Sequence, residues 1–143
     1  MKAQEEAVYK EIQRNTKQAI KAIETVWDKI YDSDLSMHIS KQSLKYAQIN
    51  TAATQALLDG KVQPVRDSYL EDLKLKAGLH YHTLLNTSTA HVAELMIKER
   101  SSAMLSMEKV LKKNDEAGEK PKALAREFME FQQKSVNLLK DYL

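Results

Sequence analysis

Residues 35–60, LSMHISKQSLKYAQINTAATQALLDG, decide the fold class of this chain. Apolar residues recur in this stretch at intervals of three and four, which is the period of an amphipathic α-helix. The stripe consists of Leu35, Ile39, Gln42, Tyr46, Ile49, Ala53, Ala56 and Leu57. Gly60 follows the stripe and fits the C′ position, at which many helices end. The stretch therefore predicts one long helix with a stripe that packs against other helices.

Three more regions have the same period. Residues 3–31 form the first, and its stripe is strongest around Trp27, which we expect to be buried against the second and last helices. The third region, residues 65–113, begins at Pro64 or at Ser68, whose spacing to Glu71 fits a capping box. Unbroken, it would be about 72 Å long, so we favour a break at residues 86–88, where Asn, Thr and Ser make the helix weakest. After a polar loop at residues 114–120, Pro121 starts the last helix, whose stripe is Leu124, Phe128, Phe131, Ser135, Leu138, Leu139 and Tyr142.

The composition excludes most other fold classes. The 143 residues include only three glycines and two prolines, too few for the frequent turns of a β-sandwich or barrel, and no cysteine for a disulfide scaffold or a thiolate site. The sequence predicts an all-α protein with one domain, residues 1–143. Its expected architecture is an antiparallel four-helix-type bundle, with four long helices, or five if the third region breaks near residues 86–88.

Charge and hydropathy restrict the expected partners and compartment. The net charge is only +2, and the lysines of residues 109–122 alternate with acidic residues and lack aromatic neighbours, so we expect no nucleic-acid binding. No apolar run approaches the roughly 18 residues that a transmembrane helix needs, and no secretory signal pattern opens the chain. We expect a cytoplasmic protein without membrane insertion, while peripheral association with a surface stays open.

The sequence offers little catalytic chemistry. Glycine-rich phosphate loops, Gly-x-Ser-x-Gly and His-Glu-x-x-His are all missing, so we expect no enzyme, no catalytic residue and no cofactor. None of the histidines completes the Glu-x-x-His motif of di-iron bundles, so we expect no metal site. An alternative function remains, a small-molecule- or metal-binding bundle that uses a polar middle layer. The candidate residues for this layer are Tyr46, Asn50, His80 and His91, with His82 beside them.

Residues 95–111 carry apolar side chains around more of the helix than one packing stripe requires, with Lys98, Arg100 and Ser101–Ser102 in the remaining polar sector. Such a width indicates burial on two sides, either inside the bundle or against another subunit. The candidate interface residues are Met96, Ile97, Met104, Leu105, Met107 and Leu111. The leading functional hypothesis is therefore a non-catalytic interaction module (an adaptor, regulator or assembly component). Its partner is another protein or a second copy in a homodimer or higher oligomer.

Overall fold

The computed structural model describes residues 1–66, 69–85 and 87–143, without the side chains of residues 69 and 80–85. The chain is 83% helical, and no strand occurs in the part described. Within these ranges five α-helices follow one another: α1 (Ala3–Val26), α2 (Ser33–Asp59), α3 (Tyr69–Leu85), α4 (Thr89–Lys113) and α5 (Glu119–Lys140). The predicted all-α bundle is confirmed, in its five-helix form.

Capping side chains explain where two of the helices begin. Asp32 caps α2, because its Oδ1 accepts a hydrogen bond of 2.9 Å from the backbone N–H of Leu35. Ser88 caps α4 in the same way through a 3.2 Å bond from the N–H of His91. The third region therefore does break where Ser88 provides a new N-cap. The start predicted at Ser68 lies outside the described residues.

The end of α2 differs from the prediction by one residue. Gly60 is the C-cap itself, and Lys61 takes the left-handed conformation at C′, with φ of 57°. Backbone bonds from Lys61 N to Leu58 O and from Val62 N to Leu57 O, both 2.9 Å, complete a Schellman motif. A Cβ added at Gly60 would lie 2.8 Å from Cε of Met1, the far end of an exposed side chain.

The helices pack with α1 at the centre, in contact with each of the other four. The end of α4 lies beside the start of α1, since Gln4 Oε1 accepts a 2.8 Å bond from Glu116 N. The end of α5 lies beside the start of α2, where the hydroxyl of Tyr142 donates to Asp34 Oδ2 at 2.5 Å. Helices α1 and α4, and helices α2 and α5, are therefore antiparallel. Gln13 bonds to Thr54 and Thr16 to Asn50, so α1 and α2 are antiparallel as well, and it follows that α4 and α5 are also antiparallel. Helix α3 packs mainly on α1, to which the Lys21–Asp72 ion pair also ties it.

The predicted burial of Trp27 is wrong. Helix α1 ends at Val26, and Trp27 begins a 3₁₀ turn that reaches Lys29. The tighter turn changes the direction of the side chains, so Val26 keeps the buried position while 44% of Trp27 is exposed. The large buried side chains of the core come instead from the middle of the helices and include Ile12, Tyr46 and Phe128.

Candidate functional site

A network of polar side chains is buried where α2, α4 and α5 meet. Its centre is Arg100, which has no exposed surface. The guanidinium donates from Nε to Ser135 Oγ at 2.6 Å, from Nη1 to Glu99 Oε2 at 2.8 Å and from Nη2 to Gln42 Oε1 at 2.9 Å. Ser135 Oγ also donates to Gln42 Oε1 at 2.9 Å. We call this group, together with Tyr46 and Gln132, the Arg100 cluster.

The aromatic side of the Arg100 cluster is equally buried. The guanidinium carbon of Arg100 lies 5.3 Å from the ring centroid of Tyr46, within cation–π range. The hydroxyl of Tyr46 donates to Gln132 Oε1, while Gln132 Nε2 is buried without a hydrogen-bond partner among the described residues. Burial raises the pKa of Tyr46 to about 12, and the charge of Arg100 offsets part of that rise. Burial also raises the pKa of the Glu99 carboxyl, again against the influence of Arg100.

The position of Arg100 corrects the sequence analysis, which placed this residue in the polar sector of the third region. Arg100 lies four residues after Met96 and three before Ala103, so it fills the gap in the buried stripe of α4. Gln42 and Ser135 occupy equivalent stripe positions on α2 and α5. Two polar residues inside apolar stripes are the signal that predicts a buried polar partner on a third helix.

A second polar cluster joins α1 to α2. The amide nitrogen of Asn50 donates to Gln13 O at 3.2 Å and to Thr16 Oγ1 at 2.9 Å. The side chain of Gln13 donates to Thr54 Oγ1 at 3.0 Å and accepts from Val65 N at 2.8 Å, which fixes the connector that follows α2. Asn50 therefore faces α1 while Tyr46 faces α4 and α5. These two candidates for the polar layer belong to different clusters.

Of the histidine candidates, His91 alone has a described side chain. The side chains of His80 and His82 lie outside the described residues. His91 is half-buried in the first turn of α4, where its Nδ1 lies 3.9 Å from Glu94 Oε2. Among the described residues, no group of three His, Asp or Glu side chains is placed to hold a metal ion.

The predicted interface at residues 95–111 is largely covered within a single chain. Met96 and Met107 are buried, with exposed fractions of 2% and 0%. Ile97, Met104 and Leu111 are half-buried, and Leu105 alone of the six is exposed. The wide apolar sector of α4 faces α1 on one side and α5 on the other. Its role in assembly stays a prediction.

Helix α2 presents a second row of side chains on the side opposite its buried stripe. We call this row the outer face of α2; it consists of Met37, Lys41, Leu44, Gln48, Thr51, Gln55 and Leu58, all exposed. Met37, Leu44 and Leu58 are 48%, 68% and 52% exposed, although each is a large apolar side chain. Every residue of α2 is described, and Lys41 is the one charged side chain among its exposed positions between residues 37 and 58.

An apolar groove adjoins the outer face of α2. It lies between α1 and α2, has a volume of about 400 Å³ and is lined by Ile23, Glu24, Trp27, Ser40, Ser43 and Leu44. Leu44 belongs both to the groove and to the outer face, so the exposed Trp27 and the row on α2 form one continuous surface. Sequence reasoning missed this surface, because the buried stripe of α2 accounted for only one side of the helix.

None of the helices, in the ranges described, combines the length and apolar character that crossing a bilayer requires. Comparison of the chain with protein-family models, curated proteins and solved structures found no match.

Proposed function

We propose that this protein is a non-catalytic interaction module that self-associates and acts as an adaptor, regulator or assembly component. The observation that supports this function best is the outer face of α2. This helix surface, with one charged side chain among its seven, shares with the core of a protein–protein interface the depletion of charged residues.

A comparison within the same molecule shows how unusual the outer face is. Of the thirteen exposed positions of α2, three are charged, and two of these, Asp34 and Asp59, lie at its ends. Of the ten exposed positions in α5, seven are charged. Both helices are amphipathic and lie at the surface of one bundle, so the contrast belongs to α2 and not to the composition of the chain.

The groove beside the outer face of α2 adds an exposed aromatic side chain, the type of residue that contributes most to the binding energy of protein–protein interfaces. Trp and Tyr are enriched among the residues that contribute most to association. Trp27 is 44% exposed at the groove, and Tyr31 is 72% exposed after the 3₁₀ turn. An exposed tryptophan beside an exposed leucine gives a partner an apolar anchor point.

Sedimentation velocity of the purified protein across a range of concentrations tests the proposed function. We expect a mass that rises above the chain mass of 16.4 kDa with concentration. Trp27 is the only tryptophan, so its emission should shift to shorter wavelength over the same range as its surroundings lose water. A mass of 16.4 kDa and an unchanged emission at every concentration would refute self-association.

One observation favours the alternative, a bundle that binds a small molecule or metal. The buried Gln132 Nε2 lacks a hydrogen-bond partner among the described residues, and buried polar groups are normally satisfied. Native mass spectrometry separates the two functions, because it detects a retained ligand or metal as added mass on the single chain.

A further inference from the structure

We infer that residues 70–79 of α3 form a strap that opens while the other four helices stay folded, and that its opening uncovers a polar cleft between α1 and α4. This conformational change goes beyond the proposed function and does not depend on self-association. Three features carry it: the few side chains that hold the strap, the polar surface beneath it and the ion pair that fastens it.

Few side chains hold the strap on the bundle. Of its ten side chains, Leu79 alone is buried, and Asp72 and Leu75 are half-buried. These three residues are spaced by three and four positions, so they form one narrow face of the helix. Leu70 and Leu73 lie off this face and are 69% and 50% exposed. Each of the other four helices buries seven residues or more, so the strap is held by fewer buried side chains than any of them.

The other four helices form a closed bundle without the strap. Helix α1 contacts α2 and α4, and α5 contacts both of these as well, so each helix of the bundle has two neighbours. The large buried side chains of Ile12, Tyr46 and Phe128 all come from these helices. Segments that bury few apolar side chains open at a lower free-energy cost than the core, so the strap can open by itself.

The surface beneath the strap is polar. Leu75 of the strap closes a cavity of about 290 Å³, whose other lining residues are Asn15, Gln18, Glu99, Ser102, Ala103 and Ser106. The Glu99 carboxylate in this lining is the one that accepts a hydrogen bond from Arg100. Opening of the strap exposes mainly hydrogen-bonding groups to water, which costs less than exposing apolar core. It also gives solutes access to the Glu99 carboxylate.

An ion pair fastens the strap to α1. The ammonium of Lys21 donates to Oδ2 of Asp72, and the two side chains are only 20% and 18% exposed. The connector before α3 is fixed separately, because Val65 N donates to Gln13 Oε1 at 2.8 Å and Val65 O accepts from Lys17 Nζ at 3.2 Å. Rupture of the ion pair therefore releases the strap and not the connector. An undocked helix as short as this one is marginal in water, so opening should also break its backbone hydrogen bonds.

Hydrogen exchange of the intact protein, followed by mass spectrometry at low urea concentrations and high dilution, tests the opening. The amides of the strap should exchange with little dependence on urea, because opening exposes little surface, whereas those of α5 should have the steep dependence of global unfolding. Asp72→Asn removes the ion pair and should raise exchange in the strap severalfold. Ile49→Val, at a core position of α2 that is 2% exposed, should raise exchange in α5 and leave the strap unchanged.

The two variants distinguish a strap from a single cooperative unit. If the strap and α5 have the same urea dependence, or if Ile49→Val raises exchange equally in both, the five helices unfold together and the inference is overturned. If Asp72→Asn leaves exchange in the strap unchanged, the ion pair does not fasten it, and the inference is equally wrong.

Thiol labelling tests whether the strap covers the cleft, because the wild-type chain contains no cysteine. Asn15→Cys, at a cavity position that is 8% exposed, should react with a maleimide at a rate that Asp72→Asn raises severalfold and Ile49→Val leaves unchanged. The control Ala125→Cys, at a buried position of α5, should react only through global unfolding, so Ile49→Val should raise its rate. Circular dichroism verifies that each variant keeps its helical content. If Asn15→Cys responds to Ile49→Val as Ala125→Cys does, opening of the strap does not uncover the cleft, and the inference fails.

Discussion

The hydroxyl of Tyr46 and the amide of Gln132 form a buried hydrogen-bonded pair. Its contribution to the free energy of unfolding can be predicted and measured. Both residues have no exposed surface, and the hydroxyl donates to Gln132 Oε1. Gln132 Nε2 has no partner among the described residues, so this hydrogen bond satisfies the oxygen of the amide and leaves its nitrogen unsatisfied. The perturbation is a double-mutant cycle of Tyr46→Phe and Gln132→Leu. Neither change alters the shape of the core greatly.

The expected costs follow from which polar groups each variant leaves buried. Tyr46→Phe leaves both ends of the Gln132 amide without a partner, which should cost about 1–3 kcal/mol of unfolding free energy. Gln132→Leu removes a half-satisfied amide but leaves the buried Tyr46 hydroxyl without its acceptor, so it should also cost about 1–3 kcal/mol. In the double variant neither polar group remains, and the cost should be lower than that of either single variant. The coupling energy is then favourable and at least as large as either single cost, about 1–3 kcal/mol.

Urea unfolding followed by circular dichroism measures all four proteins. The comparison should be made at high dilution, where association does not contribute to stability. Equal slopes in urea would show that the differences in midpoint report stability. Additive costs, or a Tyr46→Phe variant as stable as the wild type, would refute the reasoning, because the hydroxyl and the amide would then have other partners.

Three further predictions follow from single residues. The pKa of Tyr46 is raised to about 12 from 10.0, so the folded state holds its proton longer and should lose about 2–3 kcal/mol of stability as pH rises from 10 to 12; in alkaline urea titrations Tyr46→Phe should lack this loss, and Tyr31→Phe, at a tyrosine that is 72% exposed, should retain it. Gly118→Ala should destabilise the folded protein by about 1–2 kcal/mol in thermal unfolding, because a φ of 95° disfavours any residue with a side chain. Gly78→Ala should instead stabilise it by up to about 1 kcal/mol, because Gly78 lies inside α3 and its added Cβ would meet open space. Trp27→Ala should cost clearly less than the 3–5 kcal/mol typical of a buried tryptophan, since 44% of its surface is exposed, and a cost in that range in urea unfolding would show that Trp27 belongs to the core.

Local signals in the sequence were sufficient for most of the fold. The helical period of residues 35–60 and the low number of glycines and prolines predicted a bundle, and the weak stretch before Thr89 predicted the break between α3 and α4. These features depend on neighbouring residues, so they can be recognised without knowledge of the tertiary contacts. The end of α1 could not be predicted as well, because a change from an α-helix to a 3₁₀ turn at Trp27 leaves the apolar spacing unaltered.

The buried polar residues show where such reasoning stops. The residue spacing assigns Arg100 to the polar sector of residues 95–111, and a charged residue is seldom fully buried without a partner. Its partners Gln42 and Ser135 come from two other helices, and sequence spacing does not show which polar residues meet across a core. The outer face of α2 could not be predicted for a related reason. A single exposed leucine such as Leu44 is ordinary, and it indicates an apolar surface only together with the exposed Met37 and Leu58.

The masses of two matched variants test the central claim most directly. Leu44→Lys and Leu105→Lys each replace an exposed leucine, 68% and 54% exposed, with a charged side chain on the surface of a helix. By sedimentation equilibrium, the outer face of α2 predicts that wild type and Leu105→Lys associate above 16.4 kDa while Leu44→Lys stays at the mass of one chain. If Leu44→Lys associates like the wild type and Leu105→Lys does not, the interface lies on residues 95–111, and the account of α2 is wrong.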